Sequence, residues 1–372
     1  MWFGLSENSL KYYNLAEILS RNAHYNIIFG ERSNGKTYSC LTYIVERYIH
    51  HNEQGAYVRR FKEDFRGKRG EQLFEALVQD GSIKRISKGK YDTVKYYAGK
   101  WYLGKFDEKL GTVIRSDDPL CFAFALSDMT HDKSISYPRI TTIVFDEFIS
   151  REGYIDNNGE FIIFMNVIST IVRFRSNVKI FMLGNTVNKY CPYFEEMGLK
   201  HIREMKQGTI DLYKYGESGL RVAVEYCGSL NKSKPSDVYF AFNNPNLQMI
   251  TGGVWELGLY PHLPVKYNPS DIIFTYFIQF DGETLQCEII EKGDLIFTYI
   301  HRKTTPIRNP DEDIIYTREY NARPNYIRNI RKPTREFERR IADFFRRDKV
   351  FYQTNEVGEI VRNYLLSCLK ET

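Results

Sequence analysis

The stretch that decides the fold is Tyr25–Tyr38, which reads YNIIFGERSNGKTY. Asn26–Phe29 is a short apolar run typical of a buried strand, and residues 36–50 after the loop have a helical pattern. The loop between them, Gly30–Thr37, matches G-x-x-x-x-G-K-[ST] in the strand–loop–helix context that gives this pattern its meaning. The segment therefore predicts a phosphate-binding loop (P-loop).

The chemistry of such a loop depends on its backbone and on two side chains. Its glycines let backbone N–H groups turn toward a phosphate, and the helix N-terminus adds the positive end of its dipole. We expect Lys36 at the β- and γ-phosphates of ATP or GTP, and the Thr37 hydroxyl on Mg²⁺. The residues expected to contact the nucleotide are Gly30, Glu31, Arg32, Ser33, Asn34, Gly35, Lys36, Thr37 and Tyr38.

Two acids follow a second buried strand. The β-branched run Ile140–Phe145 ends in Asp146 and Glu147. A carboxylate in the first position supplies the acid on the Mg²⁺ side, so Asp146 is predicted to act there with Thr37. Glu147 is predicted to polarise the water that attacks the γ-phosphate. Simple kinases lack this second acid because their nucleophile is a substrate hydroxyl, so the pair indicates hydrolysis.

Further polar residues complete the predicted site. The strand Val178–Leu183 ends at Gly184-Asn185-Thr186, where Asn185 can lie near the γ-phosphate, although an ordinary strand-ending turn fits equally. Phosphoryl transfer usually needs another cation, often an arginine from a neighbouring subunit. The candidates for this cation are Arg173, Arg175, Lys133, Arg59 and Arg60.

The organisation of the chain indicates two domains. Strands and helices alternate in the N-terminal half, which predicts a mainly parallel α/β sheet. Residues 208–236 are rich in glycine and are interpreted as a linker or small connecting subdomain. A β-meander over residues 272–301 and helices near 334–347 and 356–370 predict a second, α+β domain. The predicted domains are therefore 1–207 and 237–372.

Composition narrows the class of protein. The chain has 372 residues, 42% of them hydrophobic, and no apolar run long enough to span a membrane. Its six cysteines are scattered, which predicts free thiols in a reducing cytoplasm. The net charge is only +5, but residues 301–350 carry fourteen basic against eight acidic residues. Arg335, Arg339 and Arg346 share one face of the predicted helix there, a pattern that suits a polyanion.

In combination these features resemble the DNA-packaging (encapsidation) ATPases of small tailed phages, the phi29-like group. Four stretches carry the resemblance, and they lie within about residues 1–210. They are YNIIFGERSNGKTY (Tyr25–Tyr38), YVRRFKED (Tyr57–Asp64), SYPRITTIVFDEFI (Ser136–Ile149) and FMLGNTVNKYCPYF (Phe181–Phe194).

The resemblance implies a RecA/ASCE-like P-loop ATPase that uses ATP and Mg²⁺. It also implies a homomeric ring, typically a pentamer, that docks on the portal (connector) of an empty capsid in the host cytoplasm and drives double-stranded DNA inward. The trans-acting cations would fall on Arg173 or Arg175 and on Lys133, with Arg59, Arg60 and Lys62 near the subunit interface. Whether a structural RNA takes part stays open at this stage.

The second domain is expected, by the same resemblance, to be a shortened, inactive RNase H-like nuclease that binds nucleic acid or the portal. One alternative is a terminase-type enzyme whose second domain still cleaves DNA, which needs three or more converging carboxylates. The acids available for such a site are Asp271, Asp281, Glu283, Glu288 and Glu291. A second alternative is a nucleotide-gated DNA-binding switch, for which Glu147 would serve little purpose.

Overall fold

The computed structural model describes residues 12–128, 136–151, 154–155, 159–228 and 258–370. The chain divides into two compact units, Met1–Glu256 and Leu257–Thr372. This division falls inside the predicted second domain, 237–372, and not in the predicted connecting segment, 208–236.

A ten-stranded sheet forms the centre of the first unit, in the order β3-β4-β6-β2-β7-β8-β1-β10-β9, with β5 beside β4. Its strands are β1 (Tyr25–Gly30), β2 (Gln54–Arg59), β3 (Thr93–Tyr97), β4 (Lys100–Asp107), β5 (Thr112–Arg115), β6 (Cys121–Ala125), β7 (Ile140–Asp146), β8 (Lys179–Asn185), β9 (Thr209–Tyr215) and β10 (Leu220–Tyr226). The six central strands from β6 to β10 pair in parallel, and the edge strands are antiparallel. This agrees with the alternating pattern of the sequence.

The described helices of the first unit are α1 (Ala16–Ser20), α2 (Lys36–His51), α3 (Lys68–Glu71), α4 (Glu75–Gln79), α5 (Ser82–Ile86), α6 (Gly159–Val172) and α7 (Pro192–Glu196). Short 3₁₀ turns lie at Lys62–Phe65, Gln72–Phe74, Leu126–Asp128, Lys200–Arg203 and Gly216–Ser218. The predicted helices at 36–50 and 160–173 are confirmed as α2 and α6.

Hydrophobic side chains cover both faces of the sheet, as expected for central parallel strands. On β1, Ile27 and Phe29 enter one buried cluster, and Ile28 between them enters the cluster on the other face. On β7, Phe145 and Val144 divide in the same way. Because the flanks of these strands are apolar, the polar residues that concern function collect where the strands end.

The described part of the segment predicted as a linker or small connecting subdomain belongs to the first sheet. Residues 209–226 form the hairpin β9–β10, and β10 pairs in parallel with β1 over Tyr25–Phe29. The glycines that suggested a linker instead make the turn, where Gly216 and Gly219 have φ angles of 48° and 68°. Residues 229–236 of the predicted linker lie outside the described residues.

A six-stranded mixed sheet in the order β15-β14-β11-β12-β13-β16 organises the second unit. Its strands are β11 (Ile272–Phe280), β12 (Glu283–Lys292), β13 (Leu295–Arg302), β14 (Ile315–Thr317), β15 (Tyr326–Ile327) and β16 (Val350–Tyr352). Its helices in the described range are α8 (Glu336–Arg346) and α9 (Asn355–Ser367), with 3₁₀ turns at Pro269–Asp271 and Cys368–Lys370. The predicted meander and both predicted helices are thus confirmed.

Two further observations concern the whole chain. All six cysteines are buried free thiols. Among the described helices, none combines the length and the apolar character needed to cross a membrane.

Candidate nucleotide site at the carboxyl edge of the first sheet

The loop between β1 and α2 is tightly packed against its neighbours. A Cβ added at Gly30 would lie 2.4 Å from the Cys227 sulfur, so only glycine fits there. Gly35 has a φ of 87°, in the left-handed region, and a Cβ there would lie 2.8 Å from the ring of Tyr12. Both glycines of the motif are therefore required by the shape of the loop.

Lys36 begins α2, and its ammonium group is folded back into the loop. Its Nζ donates to the Glu31 carbonyl at 2.5 Å and lies 3.2 Å from the Asn34 Oδ1 and 3.4 Å from the Asn185 Oδ1. Burial lowers the pKa of Lys36, and the nearby negative charges only partly oppose that effect. A largely desolvated cation of this kind favours an anionic ligand.

Thr37 and Asp146 meet across the gap between α2 and the end of β7. The Thr37 hydroxyl donates to Asp146 Oδ2 at 2.9 Å, and the hydroxyl of Tyr57 donates to the same oxygen at 2.5 Å. A hydroxyl and a carboxylate side by side are the oxygen ligands that Mg²⁺ prefers. The residues present therefore fit a magnesium ion, which Thr37 and Asp146 would hold. Burial and Asp146 together raise the pKa of Tyr57, which stays a hydrogen-bond donor.

Glu147 follows β7 in an unusual backbone conformation, with a φ of 57°. Its side chain is 57% exposed, and its carboxylate lies 2.7 Å from the guanidinium of Arg59. Arg59 also approaches Asp64 at 3.5 Å and Asp146 at 3.9 Å. Burial opposes the charge of Arg59, but Tyr57 and the acids raise its pKa overall. Sequence reasoning listed Arg59 as a trans-acting candidate, whereas the structure bonds it to acids of its own subunit.

Arg60 also departs from the prediction. It is a buried residue, 8% exposed, and it forms an ion pair with Glu160 at 2.9 Å. A guanidinium held inside its own subunit cannot reach a neighbouring one, which corrects the trans-acting candidacy of Arg60.

The other candidate cations lie away from Asp146 or outside the described residues. Arg175 donates to four backbone carbonyls, including that of Ile140 at the start of β7, at 2.5–3.1 Å. These bonds give Arg175 a structural role at the opposite edge of the sheet, which corrects its predicted catalytic one. Arg173 is exposed in the turn that ends α6. Lys133 lies outside the described residues.

Two aromatic residues border the loop. Tyr12 and Tyr38 stack with ring centroids 4.4 Å apart. The hydroxyl of Tyr38 bonds to Asp80 and lies 3.0 Å from the Ser82 hydroxyl. Tyr38, predicted to contact the nucleotide, is thus held at the start of α2 by contacts of its ring and of its hydroxyl.

Sequence reasoning missed Tyr57 and Cys227. Tyr57 lies near the end of β2, beside β7, and the rule that parallel strands meet at their carboxyl ends could have found it. Cys227 follows β10, inside the segment that was taken for a linker. Its sulfur accepts a hydrogen bond from the Asn34 amide at 3.0 Å, so it supports the loop.

Known proteins resemble this chain in sequence. A model of the family described as podovirus DNA encapsidation protein (Gp16) matches residues 7–99 and 105–207, more than half of the chain. The DNA packaging proteins of Bacillus phage B103 and Bacillus phage phi29 are each 31% identical to this chain, over 186 and 187 residues. Each alignment covers 49% of this chain, and it covers 50% of the B103 protein and 49% of the phi29 protein. The chain therefore spans about half the length of the curated relatives it matches.

A solved structure shares the overall fold. The bacteriophage phi29 viral genome packaging motor assembly aligns over 97% of this chain and 99% of its own, with a TM-score of 0.54 and 21% identity. At this level of identity the likeness concerns the fold alone.

Proposed function

Because the chain belongs to the podovirus DNA encapsidation protein family, we propose that it is the ATP-hydrolysing subunit of a motor that moves double-stranded DNA into a preformed capsid. The observation that carries this proposal is the convergence of Lys36, Thr37, Asp146 and Glu147 at one edge of the sheet. The relatives it matches are named DNA packaging proteins, which supplies the direction of the motor's work.

Each residue of the site has its own role in hydrolysis. The loop N–H groups and Lys36 hold the phosphates, and Thr37 and Asp146 hold Mg²⁺. When bound, the metal ion neutralises negative charge on the phosphates. Glu147 orients a water molecule and accepts its proton. Asn185, whose side-chain oxygen lies 3.4 Å from Lys36, is suited to respond to the γ-phosphate.

In this scheme Arg59 controls whether the Glu147 carboxylate is available to the attacking water. The Arg59 guanidinium, bonded to the Glu147 carboxylate at 2.7 Å, competes with a water molecule for that carboxylate. Glu147 therefore reaches full activity when Arg59 turns toward a phosphate or toward Asp64. A cavity of about 490 Å³, lined in part by Arg59, Asp64 and Arg69, gives the guanidinium room to move.

A ring of identical subunits would complete the site. Arg173 is exposed at the edge of the sheet opposite Asp146, so it can serve the site of a neighbouring subunit but not its own. Phe174 beside it is fully exposed, and aromatic residues together with arginine are enriched at protein interfaces. Lys133 stays a second trans-acting candidate from the family resemblance. The solved structure that shares the fold is described as a viral genome packaging motor assembly.

The second unit is proposed to bind rather than to cut. The strand order β13-β12-β11-β14-β15, with three antiparallel strands and two added in parallel beside β11, supports the proposal of a shortened RNase H-like sheet. However, the adjacent strands β11 and β14, read as IIFTYFIQF and IYT, carry no carboxylate. The described residues include no group of three or more His, Cys, Asp or Glu side chains placed to hold a metal. We therefore favour DNA, a structural RNA or the portal as its ligand.

The test of this proposal uses the purified chain with ATP and Mg²⁺, with and without duplex DNA. We expect ATP hydrolysis that requires Mg²⁺, and no nicking of supercoiled plasmid in Mg²⁺ or Mn²⁺. Packaging by empty capsids with their portal, measured as DNA protected from nuclease, tests translocation directly. ATP hydrolysis without DNA protection, in capsids that package with a known motor, would reject the motor function.

A further inference from the structure

Arg60, the residue after β2, donates hydrogen bonds to the backbone carbonyls of two successive residues, Glu147 and Phe148. Its Nη1 donates to the Glu147 carbonyl at 3.1 Å, and its Nη2 donates to the Phe148 carbonyl at 2.9 Å. Arg60 directly follows β2 and the carbonyls lie in the loop after β7, so these bonds connect the ends of two neighbouring strands beside the acid pair. The contact between Arg60 and Glu147 is made through the Glu147 backbone and does not depend on its carboxylate.

Arg60 is itself fixed by a buried carboxylate. Glu160, in the first turn of α6, has no solvent exposure, and its two oxygens lie 2.9–3.1 Å from the guanidinium nitrogens. The hydroxyl of Tyr193 donates to Glu160 at 2.9 Å, and the backbone N–H of Ile155 donates to it at 2.6 Å. A buried ion pair persists only when its remaining hydrogen-bonding capacity is satisfied, as it is here. The Arg60–Glu160 ion pair is therefore a buried, fixed support for the loop after β7 rather than a surface contact.

The backbone at Glu147 and Phe148, which this ion pair supports, is strained. Glu147 has a φ of 57°, a conformation that non-glycine residues rarely adopt. Its N–H is bonded to the Asp146 carboxylate at 2.9 Å, and the next N–H, of Phe148, is bonded to the Leu183 carbonyl of β8 at 3.1 Å. The two bonds from Arg60 fix the carbonyls of the same two residues. Such strain is retained only where the surroundings determine the conformation completely.

We propose that Arg60, locked in place by Glu160, is a positioning residue for hydrolysis. It holds the Glu147–Phe148 backbone in the strained turn that directs the Glu147 side chain to the edge of the sheet where Lys36 and Thr37 lie. Arg60 does not contact the nucleotide, and it acts only through Glu147. This inference rests on the proposed ATPase activity.

The decisive variant is Arg60→Lys, which keeps a charge for Glu160 but cannot donate to both carbonyls as well. We expect kcat for ATP to fall about tenfold to a hundredfold, since small misplacements of a reacting group have effects of this size. The dissociation constant of a fluorescent ATP analogue should stay within about twofold of the parent value. If Arg60→Lys fails to fold, Tyr193→Phe replaces it, because it removes only one hydroxyl bond to Glu160. It should lower kcat in the same way but less.

Two controls separate positioning from general stability. Arg47 forms a comparable two-bond pair with Glu53, at 2.8 Å for both bonds, near the start of β2. Arg47→Lys should lower the melting temperature but leave kcat within about twofold. In a Glu147→Gln background, Arg60→Lys should reduce single-turnover hydrolysis no further, because residues that act as one unit are not additive.

Three results would overturn the inference. They are parental kcat in a folded Arg60→Lys protein, weakened nucleotide binding that accounts for the loss, and an equal loss in the Glu147→Gln background. Failure of the proposed function has a different signature. In that case the parent itself would not hydrolyse ATP, or Lys36→Ala would hydrolyse as fast as the parent.

Discussion

The two units of this protein differ in where their basic side chains lie. In the first unit, charged groups gather at the carboxyl ends of β2 and β7, where Lys36, Arg60 and Glu160 are buried and engaged with specific partners. In the second unit, the arginines of the α8 region, such as Arg339 and Arg346, are exposed to solvent. Buried charges held at fixed distances suit chemistry, whereas an exposed basic surface suits a polyanion of variable sequence.

The second sheet also buries an acid, Glu288, but in different surroundings. Glu288 on β12 accepts hydrogen bonds from Tyr267 at 2.5 Å and from Gln286 at 2.6 Å, and it lies 3.4 Å from His301. Burial opposes its charge, but these partners lower the pKa of Glu288 overall. Its oxygens are thus directed at neutral or basic neighbours, and within the described part of the chain Glu288 belongs to no group of acids placed to hold a metal.

The largest expected effect is that of Lys36→Ala, which removes the buried cation of the phosphate loop. ATP turnover should fall roughly a hundredfold or more, because a charge contact to the phosphates is worth a few kcal/mol in the transition state. Turnover is measured by phosphate release from the purified protein. Lys95→Ala, an exposed lysine of β3, is the matched control and should behave as the parent. Near-parental turnover of Lys36→Ala would show that the catalytic site does not lie at this edge of the sheet.

The next effect tests whether a neighbouring subunit completes the site. Arg173→Ala should bind ATP normally and hydrolyse it about tenfold more slowly or worse, since a trans-acting arginine stabilises transition-state charge. Mixing it with Lys36→Ala protein should restore part of the activity, because an intact loop then faces an intact arginine. Absence of rescue in rings shown to be mixed would argue against Arg173, and Lys133→Ala would be tested in its place.

A smaller effect is expected on the second unit. The predicted basic face changes in the structure, because Arg335 precedes the first helical residue, Glu336, and lies 3.8 Å from Glu338. Replacing Arg339 and Arg346 by Gln should flatten the slope of log affinity for duplex DNA against log salt by about one per lost phosphate contact. Arg347→Gln is the control, since Arg347 pairs with Asp343 at 2.7 Å. An unchanged slope with lost binding to the portal would assign this surface to the portal.

The smallest effect concerns a buried acid that takes no part in the proposed chemistry. Burial raises the pKa of Glu225 from 4.5 to about 7, although the hydrogen bond from Tyr13 partly opposes this. The folded state thus favours the protonated form, so its contribution is complete below pH 4.5 and is lost as the pH rises to about 7. Relative to the parent, Glu225→Gln should gain roughly 2–3 kcal/mol of stability between pH 5 and pH 8. An equal difference in melting temperature at both pH values would contradict this.

Much of the fold follows from local sequence. The apolar run before Gly30 and the β-branched run before Asp146 each belong to a strand buried on both faces, so their pattern survives in any arrangement of the sheet. The hairpin β9–β10 was missed because its glycines indicate turns, and a turn signal does not reveal that the strand beside it, β10, completes a sheet through β1, about 200 residues away in sequence.

The site was predictable where a motif carries its own geometry, and unpredictable elsewhere. Lys36, Thr37 and Asp146 lie together as their motifs indicate. The partners of Arg59, Arg60 and Arg175 could not be predicted, because an arginine in sequence gives no sign of whether its guanidinium ends in water, on a carboxylate or on backbone carbonyls. Only the packing of β2 against β7 and α6 decides among these outcomes.

The central claim is that Glu147 is the base of an ATP-hydrolysing site in the first unit. The measurement that tests it most directly compares the parent with Glu147→Gln for both nucleotide binding and turnover. The variant keeps the shape of the side chain but loses its basicity. We predict unchanged affinity for ATP with Mg²⁺ and turnover lower by about a hundredfold or more, the usual contribution of a general base. Parental turnover in the folded variant would contradict the claim.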